Sequence, residues 1–270
     1  MNAEQASDHF WTDGACVLRG AVGIATVTAA RTAVDSIIGS DSLADLSALA
    51  GSDEKARFNA GVDHWRGANE FRVLATQTEL PRLVAEVLGT DRIWLYEDSV
   101  LIKEAGSTVV TKWHSDDGYF HVEGEQLGTL WVPLDPAPLT AGALRFLRGS
   151  SKSTDAYRPT LFVTDDPIPG TEGELPPQIA FDDPAVMGFD LEVGDCTIHH
   201  SRTLHAAGGN ESNEPRRALS IRYCGDDAIV RTKPGAPMKD GLREVADGTP
   251  IAEAALVMGL PEATLGGSDV

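Results

Sequence analysis

The sequence predicts a mixed α/β fold with a mainly β core, in which a barrel or sandwich of short strands follows a helix-rich N-terminal third. Two observations carry this expectation. The hydrophobic period is near 3.6 residues in the first part of the chain, and from Arg92 onward it gives way to short β-rich runs. Gly, Pro, Asp or Asn separates most of those runs, as the turns of all-β barrels and sandwiches require. No repeat and no linker interrupts the 270 residues. One domain over 1–270 is expected, with a helix-rich part over 1–91, a β core over 92–230 and an extension over 231–270.

Taken in order, "ACVLRG" reads as a short strand. "GIATVTAARTAVDSIIG" then places Ile24, Val27, Val34, Ile37 and Ile38 on one helical stripe, which Gly39 can end. The polar stretch from Gly39 to Arg66 is read as loop with room for one helix. In "TELPRLVAEVLG" the apolar residues Leu80, Leu83, Val84, Val87 and Leu88 follow the helical pattern, with Thr78 as N-cap and Gly89 as C-cap. The β runs are "RIWLYEDSVLIK", "STVVTKWHSD", "LGTLWVPLD", "GALRFLRGS", "DCTIHH" and "RRALSIRYCG". A Pro/Asp/Gly-rich insert between Ser151 and Leu191 is too long for a turn and is expected to cover a site. The tail reads as one short helix and a loose end.

A formal charge of −19 and a pI near 4.6 exclude the basic surface that a nucleic acid or an anionic membrane would need. The cysteines Cys16, Cys196 and Cys224 are odd in number and form no CxxC pair, so neither a disulfide framework nor a thiolate zinc site is expected. The N-terminal residues lack a signal-peptide pattern, and no apolar run is long enough to cross a bilayer. A cytoplasmic protein with reduced thiols is the expectation. Oligomeric state has no signature in the sequence.

The stretch "KWHSDDGYF" sets His114 and Asp116 two residues apart. On a strand both point to one side, presenting an imidazole nitrogen beside a carboxylate oxygen. That is two thirds of the facial triad that holds non-haem Fe(II), although "SDDG" is equally good turn chemistry. Further on, "GDCTIHHSRTLHAAGGNESNEPRRALSIRY" offers His199, His200 and His205, then Arg216 and Arg217 at the start of a β run. His205 could supply a second imidazole from a distant strand. An arginine eleven residues later could grip a co-substrate carboxylate with its planar fork. If Arg216 faces inward, so do Ala218, Ser220 and Arg222, while Leu219, Ile221 and Tyr223 pack outward. Arg222 then becomes a candidate for an anionic substrate group or for a structural ion pair.

The order of these motifs resembles the phytanoyl-CoA dioxygenase family: HxD at His114 and Asp116, "TLWVPL", "GALRFLRGSSK", and then "GDCTIHHSRTLHAAGGNESNEPRRALS". The likeness runs from about Asp13 to Asp226, and "WHSDDGYFHVEG" is also similar to ectoine hydroxylases of the same superfamily. The resemblance implies a double-stranded β-helix (a jelly-roll, cupin-like barrel) flanked by N-terminal helices. It implies an Fe(II)- and 2-oxoglutarate-dependent dioxygenase that uses O₂ and releases succinate and CO₂. His114, Asp116 and His205 match the family's iron ligands, and Arg216 matches the arginine that binds the far carboxylate of 2-oxoglutarate. Lys103 sits where a co-substrate lysine is often found, and Trp131 where a tryptophan lines the pocket. Ala207 stands where some members carry a serine, so a hydrogen bond from that position is lost.

Tyr119, Phe120 and His121 follow the ligand pair directly and are expected to line a substrate pocket, with Arg222 as a further contact. His200 reads as a structural partner, and His199 as surface or strand packing. Related halogenases carry a small residue at the position of Asp116, so a carboxylate there favours hydroxylation over halogenation, with desaturation and ring formation left open because they depend on substrate pose. The expected substrate is a small metabolite or natural-product intermediate, because no basic cluster suits a CoA phosphate. Two other readings stay open at this stage: a metal-dependent barrel enzyme that does not use 2-oxoglutarate, and a non-catalytic small-molecule binding barrel.

Overall fold

The computed structural model of the chain describes residues 3–52, 56–153 and 157–266. The N-terminal part contains α1 (Ala3–Asp13), β1 (Ala15–Leu18), α2 (Ile24–Ile37), β2 (Ala44–Asp45), α3 (Leu46–Leu49), β3 (Phe58–Val62), α4 (His64–Gly67), α5 (Asn69–Gln77) and α6 (Leu80–Leu88). Then follow β4 (Trp94–Lys103), β5 (Thr111–His114), β6 (Val122–Glu123), β7 (Leu127–Pro133), β8 (Leu144–Leu147), β9 (Val186–Gly188), β10 (Cys196–His200), β11 (His205–Ala207), β12 (Arg216–Cys224) and β13 (Ile229–Val230). The helix α7 (Ile251–Met258) closes the described part. The tail after this helix, read as a loose end, is held as far as it is described: Leu95 N donates 3.0 Å to Pro261 O, Ala263 N 2.9 Å to Ile93 O and Thr264 N 2.8 Å to Thr76 O, and residues 267–270 lie outside the described residues.

Two antiparallel sheets make the core. The larger has the order β1-β10-β7-β12-β4-β3-β2, and the smaller β5-β11-β8-β9. From β4 to β12 the chain passes repeatedly from one sheet to the other, with β6 set apart in a small ribbon with β13. This is the winding of a double-stranded β-helix, so the jelly-roll expectation holds. Facing sheets leave an interior lined by every second residue of each strand.

α2, α6 and α7 form where the sequence predicted helices. α6 buries Leu80, Leu83, Val84, Val87 and Leu88, and Gly89 ends it at φ 69°, a left-handed conformation that favours glycine. The N-cap is Glu79 rather than Thr78, whose hydroxyl donates 2.7 Å back to Leu74 O and accepts a 3.3 Å bond from Leu80 N. α6 lies so close to β7 that a Cβ at Gly128 would stand 3.2 Å from Val84 Cγ1. The Gly39–Arg66 stretch is more ordered than its polarity suggested: β3 pairs with β4 along its whole length, a tertiary contact that overrides weak local patterning. α1 and α5 were not legible as separate helices.

β12 shows the predicted alternation. Leu219, Ile221 and Tyr223 join the apolar cluster beneath the helices, and Tyr223 Oη donates 2.7 Å to Ala75 O of α5. Arg216, Ser220 and Arg222 face the interior. Tyr223→Phe keeps the ring and strands that buried carbonyl. Unfolding free energy should fall by about 1–3 kcal/mol, read as a lower urea midpoint at unchanged slope.

Candidate metal centre

Strand pairing alone brings the two histidines together. β5 and β11 are antiparallel neighbours in the smaller sheet, and His205 lies directly opposite His114, with ring centroids 4.1 Å apart. β5 ends at His114, so Asp116 is not presented by strand alternation, as the sequence had suggested. The chain turns there, and Asp116 N donates 2.8 Å to Ser201 O, which fixes the carboxylate at the mouth of the turn. One ligand atom from each of His114, Asp116 and His205 lies within 4.8 Å of the others, and all three residues are buried.

Hydrogen bonding aims these atoms. His114 Nδ1 meets Lys112 O at 2.8 Å and His205 Nδ1 meets Thr203 O at 2.9 Å. A carbonyl can only accept, so each Nδ1 carries the proton and each Nε2 keeps its lone pair for a metal. Burial pushes His114 down to about 3 and His205 down to about 4, so both are neutral ligands at ordinary pH. Burial alone would raise the Asp116 carboxyl. Arg222, His199 and His205 overcome it and hold the group well below the usual carboxylate range.

The Asp116 carboxylate has two unlike oxygens. Oδ2 accepts 2.7 Å from Thr129 Oγ1, with His199 Nε2 at 3.5 Å and Arg222 Nε at 3.7 Å. Oδ1 faces His205 Nε2 at 3.9 Å. One oxygen is tied to the larger sheet and the other is presented to the histidines. Two imidazole nitrogens and one carboxylate oxygen, buried and pre-aimed, suit a ferrous ion with open coordination positions.

The three residues line a cavity of about 320 Å³. Inside the larger sheet, register places His199 opposite Thr129, Thr129 opposite Arg222, and Arg222 opposite Glu97. This row supports Asp116. Six residues away along β12, Arg216 is paired in register with Lys103 and its side chain lines the same cavity. Arg216 is 2% exposed, its guanidinium is 5.4 Å from the Trp131 ring centroid, and among the described residues it has no carboxylate in ion-pair contact. Burial lowers it only to about 10, so it stays charged. Arg217 points outward to Asp135 and Asp35, which leaves Arg216 as the inward arginine.

Tyr119, Phe120, Trp131 and Arg222 line the cavity as expected. Lys103 stands at the Arg216 end, but its ammonium donates to Gly208 O and does not form the wall. His121 does not reach the cavity. Its Nδ1 accepts from Lys233 N at 3.0 Å and its Nε2 lies 3.2 Å from Pro237 O, so the ring fastens the C-terminal extension instead. His199, read as packing, is in the wall, with Nε2 turned to Asp116 Oδ2 at 3.5 Å. Glu97, Asp63, Phe162 and Lys239 also line it and were missed. Only the register of β10, β7, β12 and β4 could have found Glu97. Lys239 carries no local signal at all.

A model of the phytanoyl-CoA dioxygenase (PhyH) family matches residues 10–218. A curated relative, a probable alpha-ketoglutarate-dependent hypophosphite dioxygenase of Stutzerimonas stutzeri, is 29% identical over 166 residues, 57% of this chain and 53% of the relative. The match thus spans about half the length of that relative. Among solved structures, the non-heme alpha ketoglutarate dependent carbocyclase SnoK from nogalamycin biosynthesis superposes with a TM-score of 0.71 at 21% identity, over 98% of this chain and 99% of that one. The epimerase SnoN, solved with Fe3+, alpha ketoglutarate and nogalamycin RO, gives 0.68 at 24% identity, over 92% and 94%. At these identities the structures establish a shared fold.

His200, next to the wall residue His199, points to the other face of β10. Its Nε2 lies 2.9 Å from Glu125 O and its Nδ1 accepts from Arg202 N at 3.0 Å. Burial, then Arg202, lowers it to about 4 from an ordinary 6.5. Below pH 6.5 the unfolded chain takes up a proton that the folded chain refuses. Stability is therefore lost as pH falls from about 6.5 towards 4, and fully present above 6.5. His200→Gln should remove one proton's share of that slope, about 1.4 kcal/mol per pH unit, in urea titrations run across the window.

Proposed function

We propose that this chain, which belongs to the phytanoyl-CoA dioxygenase family, is an Fe(II)- and 2-oxoglutarate-dependent dioxygenase that hydroxylates an unactivated C–H bond of a small molecule. One observation carries the reading. Three buried ligand atoms converge in the wall of a cavity that also holds Arg216, a buried cation with no carboxylate of its own among the described residues.

His114 Nε2, His205 Nε2 and Asp116 Oδ1 would hold the iron. Bound there with 2-oxoglutarate and O₂, it supplies the oxidation: substrate R–H, O₂ and 2-oxoglutarate become R–OH, succinate and CO₂. The residues do the rest. Thr129, with His199 and Arg222 alongside, keeps Asp116 Oδ2 occupied, so the carboxylate offers a single oxygen. The Lys112 and Thr203 carbonyls hold both imidazoles in one tautomer. Arg216, backed by Trp131, receives the far carboxylate of the co-substrate and fixes its direction in the barrel. Phe120 and Phe162 exclude water from the cavity, which strengthens each of these contacts. The carboxylate at Asp116 supports hydroxylation over halogenation.

The test is succinate formation coupled to O₂ uptake in a metabolite screen, with the variants as controls. His114→Ala should abolish specific iron binding in anaerobic titration. Arg216→Leu should weaken 2-oxoglutarate binding by about 2–5 kcal/mol while iron affinity without co-substrate is kept. Arg217→Leu should leave it unchanged. Iron binding unaltered by His114→Ala would end this reading.

A further inference from the structure

The charged groups of the cavity form a closed account. Lys239, brought in by the C-terminal extension, donates 2.7 Å to Asp63 Oδ2 and 2.6 Å to Glu97 Oε2. Glu97 Oε1 lies 3.6 Å from Arg222 Nη1, and Arg222 Nε reaches back to Asp116 at 3.7 Å. Signs thus alternate from the ligand to the cavity rim: Asp116, Arg222, Glu97, Lys239, Asp63. With Arg216 added, the wall holds three carboxylates and three cations. A divalent iron and a doubly charged 2-oxoglutarate also cancel. Nothing is left over to compensate a charged substrate.

The remaining wall is mostly apolar, with Ser99, Thr111, Tyr119 and Ser220 as its uncharged polar members. Leu101, Phe120, Phe162, Pro237 and Met238 border the space, with Met238 half-exposed at the rim. An extra charge there would be desolvated without a partner, which costs far more than apolar contact returns. Lys239 and residues Ala236–Lys239 as a whole lie beyond the part of the chain that matches the family, residues 10–218.

We propose that the substrate is a neutral, largely apolar molecule, and that Lys239 sets this preference by neutralising Asp63 and Glu97. The inference rests on the iron and 2-oxoglutarate reading above. It predicts that carboxylates, phosphates and ammonium compounds are rejected, and that removing one member of the chain recruits a ligand carrying the charge that was removed.

The experiment uses full-length protein loaded anaerobically with iron and 2-oxoglutarate, the loading verified by metal analysis and bound co-substrate. Tryptophan fluorescence then follows titration with 1-naphthol, 1-naphthoate and 1-naphthylmethylammonium. The wild type should bind naphthol at least tenfold more tightly than either ion, about 1.4 kcal/mol. Ala60→Phe, which fills the cavity, should abolish that binding. Lys239→Met should gain tenfold for the ammonium probe, and Glu97→Gln tenfold for the carboxylate; either variant decides the matter if only one folds by circular dichroism. Equal binding of the three probes, no binding of naphthol, or an unchanged charge preference in a folded variant overturns the inference. Failure to load iron or 2-oxoglutarate would instead overturn the function on which it rests.

Discussion

The structure depends on one buried carboxylate. Asp116 is 1% exposed, and a carboxylate so placed would ordinarily protonate and leave a metal unbound. The fold prevents this by spending a whole transverse row of its larger sheet on one oxygen. Thr129 makes the short bond, while Arg222 and His199 add field from 3.7 and 3.5 Å. Each sits on a different strand, so the support exists only when β10, β7 and β12 are in register. A slip of one residue would turn all three side chains out of the barrel. The pairing that builds the core is the same pairing that keeps Asp116 charged.

The two histidines need less. Each is held by a carbonyl two residues before it in its own strand region, Lys112 for His114 and Thr203 for His205. Their mutual distance follows from direct cross-strand opposition. This difference explains the layout of the site. The smaller sheet supplies neutral ligands through local geometry, and the larger sheet supplies charge control through long-range register. Arg216 belongs to the second system: it shares β12 with Arg222 and is separated from it by strand length alone.

Much of this was legible in the sequence, and for physical reasons. His114 and Asp116 are close in the chain, and the alternation of "RRALSIRY" separates Arg216 from Arg217 by side of the sheet. Amphipathic helices such as α6 announce themselves by period. What stayed hidden required tertiary contact. β3 is polar and irregular, and it is a strand because β4 offers it a full ladder. His121 follows the ligands so closely that it looked like a pocket residue, yet the turn after Asp116 sends it towards Lys233 and Pro237. His199 looked like filler because one strand gives no clue to which face looks inward. Lys239 lies 142 positions from Glu97, its partner, and no local pattern connects them.

The C-terminal extension adds a last step. His121 receives Lys233 N, Lys233 Nζ donates 2.6 Å to Asp117 O, and Lys239 reaches Glu97. Three attachments therefore clamp this segment across the loop that follows Asp116. One uses the Asp117 carbonyl beside the ligand turn, another the His121 ring just after it, and the third closes the charge chain that begins at the ligand itself. An isolated surface ion pair would contribute little. Here Lys239 is 7% exposed, so losing it would leave Asp63 without its ion-pair partner and the buried Glu97 with Arg222 alone. The segment that covers the substrate and the charge balance that selects it are consequently one structural element, and neither can be altered without disturbing the other.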